Sequence, residues 1–176
     1  MKTFLSVDVE DWFQVDNLKQ AISRDSWDGN VSRVERNVDV ILGLLDKYDS
    51  KATFFVLGWI ADRFPQVVKK IHQQGHEIAC HGYNHELVYS LTPESFRQDV
   101  IKTKNILEDS IGEKIIGYRA PNFSITDWAI DVLISLGFKY DSSLFLTIAH
   151  NRYGKLKDYK VSNRSIFELK KNFYQV

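Results

Sequence analysis

Residues 75–85 read Gly-His-Glu-Ile-Ala-Cys-His-Gly-Tyr-Asn-His. Gly75 fits the C-terminal cap of a preceding helix. Glu77 to Cys80 is a short apolar run of strand type, and it delivers His81 at its end. A helix, a glycine stop, a buried strand and a polar loop together make a repeating unit of an α/β fold. His81 and His85 stand four residues apart, so both imidazoles reach one metal ion if the backbone between them is helical or tightly turned. A carboxylate from elsewhere would complete a three-ligand site with room for a water, the arrangement of catalytic rather than structural zinc.

The same alternation runs outward in both directions. Strands are expected at Thr3 to Val9, Ala52 to Leu57, Lys114 to Tyr118 and Phe138 to Asp141, with one more at Ser165 to Leu169. Ser32-Arg33-Val34-Glu35 has the form of a capping box, and Val34, Val38, Ile41, Leu42, Leu44, Leu45 and Tyr48 recur behind it at helical spacing. Further helices are expected over Trp59 to Phe64, Gln66 to Gln74, Thr126 to Leu136, and from the cap Thr92 with Pro93 to about Ile111. Strands separated by helices imply parallel pairing, and sites in such folds form at the carboxyl ends of the strands.

The polar residues that invite a chemical reading fall at those ends. Asp8, Glu10 and Asp11 follow the first strand, His81 and His85 the third, Arg119 the fourth and Asp141 the fifth. Asp8 and Glu10 point the same way along an extended chain. Asp8, closing an apolar strand, suits a general base. Arg119 would fix its orientation, because guanidinium and carboxylate match bidentately. Trp12, Phe13 and Trp59 read as core, His72 as a solvated helix residue and His76 as structural.

With 176 residues, 44% of them hydrophobic, the chain suits a single domain spanning 1–176. Lys plus Arg and Asp plus Glu each number 23, so the basic excess of a nucleic-acid-binding protein is missing. Cys80 reads as a small buried side chain. The N-terminal apolar stretch is too short for a signal peptide, and no segment has the length of a membrane span. A cytoplasmic protein is the resulting expectation.

Taken in order, Ser-Val-Asp-Val-Glu-Asp-Trp-Phe (6–13), Ala-Thr-Phe-Phe-Val-Leu-Gly (52–58), the 75–85 stretch, Gly-Tyr-Arg-Ala-Pro-Asn-Phe-Ser-Ile (117–125) and Phe-Lys-Tyr-Asp-Ser-Ser-Leu (138–144) resemble the ordered motifs of the polysaccharide deacetylases, carbohydrate esterase family 4. The Asp-Val-Glu-Asp form is most similar to the subgroup associated with exopolysaccharide gene clusters. The resemblance implies an α/β fold, a distorted and incomplete (β/α) barrel with mainly parallel strands. It implies metal-dependent removal of an N-acetyl group from an amino sugar. By motif position Asp8 would be the base, His81 and His85 metal ligands, Arg119 the tether of the base, Pro121 a wall of the groove and Asp141 a support at the periphery.

The sequence departs from the family pattern twice. Adjacent aspartates are usual in the first motif, whereas here Val9 follows Asp8, so the acidic ligand is Glu10 or Asp11; alignment favours Glu10. The family's late histidine, its general acid, has no counterpart after His150. The closing strands of the barrel are therefore expected to be missing, with His150 as the substitute acid or the chain a truncation. The ion expected is Zn2+, with Co2+ or Ni2+ as substitutes. The substrate would be an amino-sugar polymer or a lipid- or nucleotide-linked precursor. The rival readings are a hydrolase of a formamide or cyclic amide, and a catalytically silent sugar-binding domain.

Overall fold

The computed structural model describes residues 4–144, 154, 156, 159 and 166–176. Four parallel strands open the sheet: β1 (Ser6–Val9), β2 (Thr53–Val56), β3 (Glu77–Cys80) and β4 (Gly117–Tyr118). They are linked by α1 (Val34–Lys47), by α2 (Gly58–Arg63) with α3 (Pro65–Gln73), and by α4 (Pro93–Ile111). After α5 (Asp127–Ser135), β5 (Tyr140–Asp141) adds in parallel beside β4. The order is completed by β6 (Phe167–Lys170) and β7 (Phe173–Gln175), giving β1-β2-β3-β4-β5-β7-β6. This is the expected α/β architecture, an incomplete barrel with one antiparallel pair, β6 with β7. No helix among the described residues is long and apolar enough to cross a membrane.

Strand alternation divides the sheet into two faces. Val9, Phe54, Val56, Ile78 and Cys80 are buried against the helices with Leu42, Ile60, Val68, Ile71 and Leu107. Each fully buried aliphatic or aromatic side chain of this kind contributes roughly 1.5–3 kcal/mol of transfer free energy. The opposite face carries Ser6, Asp8, Thr53, Phe55, Glu77 and Ala79, aligned by the register Ser6–Thr53–Glu77 and Asp8–Phe55–Ala79. The polar residues of the chemistry therefore share one side because the apolar ones claim the other.

Several expectations shift in detail. The strand that should have run from Lys114 begins only at Gly117, since Lys104 Nζ and Glu108 take the Ile115 carbonyl and amide instead. The second strand of the final hairpin, β7, was not foreseen; it follows a turn in which Asn172 adopts a left-handed φ of 62°. The capping box at Ser32 does not form: the helix starts after Arg33, and Asp11 accepts the Arg33 amide at 3.0 Å and the Ser32 hydroxyl at 2.5 Å. Thr92 does form a capping box, with Ser95. Phe13 and Trp59 lie in the core but Trp12 is 38% exposed, and Leu44 and Tyr48 face out from α1. Buried Cys80 and His76 match their structural readings.

Candidate metal centre

The ladder continues past the strand ends and places the site. The His81 amide donates to Val56 O and the Arg119 amide to Cys80 O, both within 3.1 Å. His81 and Arg119 therefore emerge side by side at the carboxyl end of the sheet. The loop from His81 to His85 then bends sharply. Gly82 has φ 74° and His85 φ 55°, a region that non-glycine residues occupy at a cost of order 1–3 kcal/mol.

Neighbouring elements hold this bend. The first amides of α2, Gly58 and Trp59, donate to the carbonyls of Gly82 and Tyr83 at 2.7 and 3.1 Å. Asp99 on α4 accepts the Tyr83 amide at 2.8 Å. A Cβ on Gly58 would stand 2.6 Å from Tyr83 and Thr103 side-chain atoms, so only glycine lets α2 come this close.

The result is a compact donor set. Glu10, His81 and His85 each offer one ligand atom, and the three atoms lie within 4.8 Å of one another. Glu10 Oε2 is 2.8 Å from His85 Nε2, yet it is buried without a hydrogen-bond partner among the described residues. A buried carboxylate oxygen facing an imidazole nitrogen without forming a hydrogen bond is a pair that a cation would satisfy. His81 Nδ1 lies 2.9 Å from Arg119 O. A carbonyl only accepts, so Nδ1 carries the proton and Nε2 keeps its lone pair, the second contact typical of a metal-binding histidine. Burial pushes the His81 imidazole below its ordinary range, opposed by the nearby Asp8 carboxylate. It is therefore neutral, as a ligand must be. Burial raises the Glu10 carboxyl, but the adjoining imidazoles, His85 first, outweigh this and leave it below the ordinary range.

Asp8 stands beside this group with its side chain 27% exposed. Its Oδ1 accepts Arg119 Nη1 at 2.8 Å. Arg119 is itself fully engaged: Nε donates to Ser142 O at 3.0 Å, and Nη2 to Ser6 Oγ at 3.0 Å and Ser142 Oγ at 2.9 Å. Its guanidinium lies 4.1 Å from the Phe55 ring centroid. Five contacts fix the arginine, and the arginine fixes Asp8.

Asp141 does not reach the donor set. It is fully buried and accepts the Ser143 hydroxyl at 2.5 Å and the Ser143 amide at 3.0 Å, while Ser143 Oγ accepts the Ala120 amide at 2.7 Å. It supports the backbone next to Arg119. Burial pushes its carboxyl from 3.8 up to about 6. Between those values the folded protein holds a proton that the unfolded chain has released, so stability falls as pH rises through that window. A shift of this size corresponds to about 3 kcal/mol. The melting temperature of the wild type should fall between pH 4 and 6, and Asp141→Asn should flatten that fall; an unchanged slope would assign the titration elsewhere.

Asp11, the alternative acidic ligand, is held away from the donor set. Strand alternation turns it towards α1, and its carboxylate is consumed by the helix start and by the Trp12 amide. His150 lies outside the described residues. Asp99, Ser142 and Ser143 escaped the sequence reading. Each acts through backbone groups or through Arg119, and a lone acid on a helix or a Ser-Ser pair carries no spacing signal; the proximity of Ser142 and Ser143 to Asp141 was the one available hint.

A family profile described as polysaccharide deacetylase matches residues 25–140. The chain belongs to the polysaccharide deacetylase family. A peptidoglycan deacetylase of Helicobacter pylori is 32% identical over 123 residues, 70% of this chain and 40% of that protein. Among solved structures, a polysaccharide deacetylase candidate from Mycobacterium smegmatis superposes with a TM-score of 0.65 and 30% identity, covering 80% of this chain and half of the other. A structure described as a family 4 carbohydrate esterase pseudoenzyme from Bacillus anthracis superposes with a TM-score of 0.61 at 21% identity over 77% of this chain and 40% of its own, a likeness of fold. This polysaccharide deacetylase chain thus spans about half or less of the length of these relatives.

Proposed function

We propose that the chain hydrolyses the N-acetyl group of an amino sugar, in a polysaccharide or its precursor, with a divalent cation held by Glu10, His81 and His85. One observation carries the proposal. Three ligand atoms of the right chemistry converge beside a carboxylate that an arginine holds ready. Two imidazoles and a carboxylate suit Zn2+, with Co2+ or Ni2+ as substitutes. Such a cation, when bound, supplies Lewis acidity to an acyl carbonyl and lowers the pKa of a water.

The chain's own residues do the rest. Asp8, held through Oδ1 by Arg119 Nη1, is placed to take a proton from the attacking water at a carboxylate oxygen. Arg119 restricts Asp8 to one orientation. The Arg119 carbonyl holds the His81 ring through Nδ1, and the Asp99 clamp holds the bend that presents His85. Hydrolysis adds water across the amide, giving acetate and the free amine. The test is acetate release from N-acetylglucosamine oligomers. Release should stop with a chelator and return with zinc; release that a chelator leaves intact would remove the metal from the mechanism, and no release at all would remove the deacetylase reading.

A further inference from the structure

One row of the sheet is built in a way that the chemistry above leaves unexplained. Register pairs Asp8 with Phe55 and Phe55 with Ala79. Cys80 pairs with Tyr118, so one step back Ala79 stands beside Gly117, and Gly117 pairs with Tyr140. On the face away from the helices the row therefore reads Asp8, Phe55, Ala79, Gly117, Tyr140. Two aromatic residues flank two of the smallest. Their rings meet over that gap, edge to face, with centroids 6.5 Å apart and planes at 81°. A Cβ on Gly117 would stand 2.2 Å from the Tyr140 ring, so the glycine is what lets Tyr140 lie there. The Tyr140 hydroxyl donates to Glu77 Oε1 at 2.8 Å, and Thr53 Oγ1 donates to Glu77 Oε2 at 2.6 Å. The tyrosine is thus anchored from the row below.

The braced ring bears on Arg119. The guanidinium carbon lies 4.1 Å from the Phe55 centroid and 5.4 Å from that of Phe123. Two of the arginine's hydrogen-bond partners, Ser6 Oγ and Ser142 Oγ, are hydroxyls that rotate to suit. They follow a tilted guanidinium as readily as a level one, and at exposed Ser6 water can take their place. Phe55 cannot follow. It is 1% exposed, sits on a strand between β1 and β3, and is met at its side by Tyr140. The Arg119 side chain is 11% exposed, which puts the contact of cation and ring at the stronger, desolvated end of its range. We propose that Phe55, braced by Tyr140 and Glu77, is a positioning residue: its ring face sets the plane of the Arg119 guanidinium and, through it, the orientation of Asp8. The effect on turnover rests on the deacetylase reading; the effect on Arg119 does not.

Phe55→Leu is the informative substitution, since it keeps an apolar side chain and removes the ring. With N-acetylglucosamine oligomers its kcat should fall about three- to tenfold, the ceiling being the worth of one desolvated cation–π contact. KM and bound metal should stay at wild-type values, because Phe55 touches neither substrate nor donor set. Phe55→Tyr, which keeps the ring face, should restore kcat. Phe55→Met fills the space more pliantly and gives the same reading as leucine should that variant fail to fold. Independently of turnover, the Arg119 Nε–H resonance of 15N-labelled protein, shielded by the ring in wild type and Phe55→Tyr, should move downfield in Phe55→Leu and exchange faster with water. An Arg119 resonance that does not move, or a kcat that the leucine and methionine variants leave unchanged while wild type releases acetate, overturns the proposal. A moved resonance in a protein that releases no acetate supports the aromatic platform and overturns the hydrolase instead.

Discussion

His81→Ala and His85→Ala should each reduce bound metal to near zero in a protein that remains folded. Three protein ligands is the minimum seen at catalytic zinc sites, and either change leaves two. The structural cost is limited. Truncating a buried imidazole leaves a small cavity and, for His81, an unpaired Arg119 carbonyl, together of order 1–3 kcal/mol, which a domain of ordinary stability survives. His85→Ala also keeps an unfavourable left-handed φ of 55°. Metal content by elemental analysis, read beside the far-ultraviolet circular dichroism, checks the expectation. Stoichiometric metal in both variants would falsify the assignment of the ligands.

Asp8→Asn should separate binding from chemistry. The asparagine oxygen can still accept from Arg119 Nη1, so the position of the side chain is preserved. Its metal content should match wild type. What disappears is the ability to take a proton, and loss of a general base costs roughly 10²–10⁴-fold in turnover. Acetate release at the wild-type rate would show that another group removes the proton. Metal lost along with activity would mean that Asp8 belongs to the donor set rather than beside it.

Much of this arrangement was legible in the sequence because two periodicities are strong. Alternation in the first strand sends Val7 and Val9 to the helices and Asp8 and Glu10 to the other face; the following residue, Asp11, turns back towards α1, which decides between the two acids. The apolar run before His81 fixed the place of the third strand to the residue. What stayed hidden has a common cause. Asp99 reads as a solvated acid on a helix, and only the fold shows that it faces the amide of Tyr83, 16 residues earlier. The short β7 strand is defined by its pairing with β5 and β6 rather than by any pattern of its own. Contacts to backbone groups leave no trace in side-chain spacing.

The ion pair of Asp8 with Arg119 joins residues 111 positions apart. A ribosome must therefore deliver the first four of the seven described strands before the proposed base acquires its partner. Such distant pairings are also the ones a chain closes slowly. A product that stops before Arg119 can hold the His81–His85 bend, clamped by Asp99, yet it leaves Asp8 without the contact that orients it.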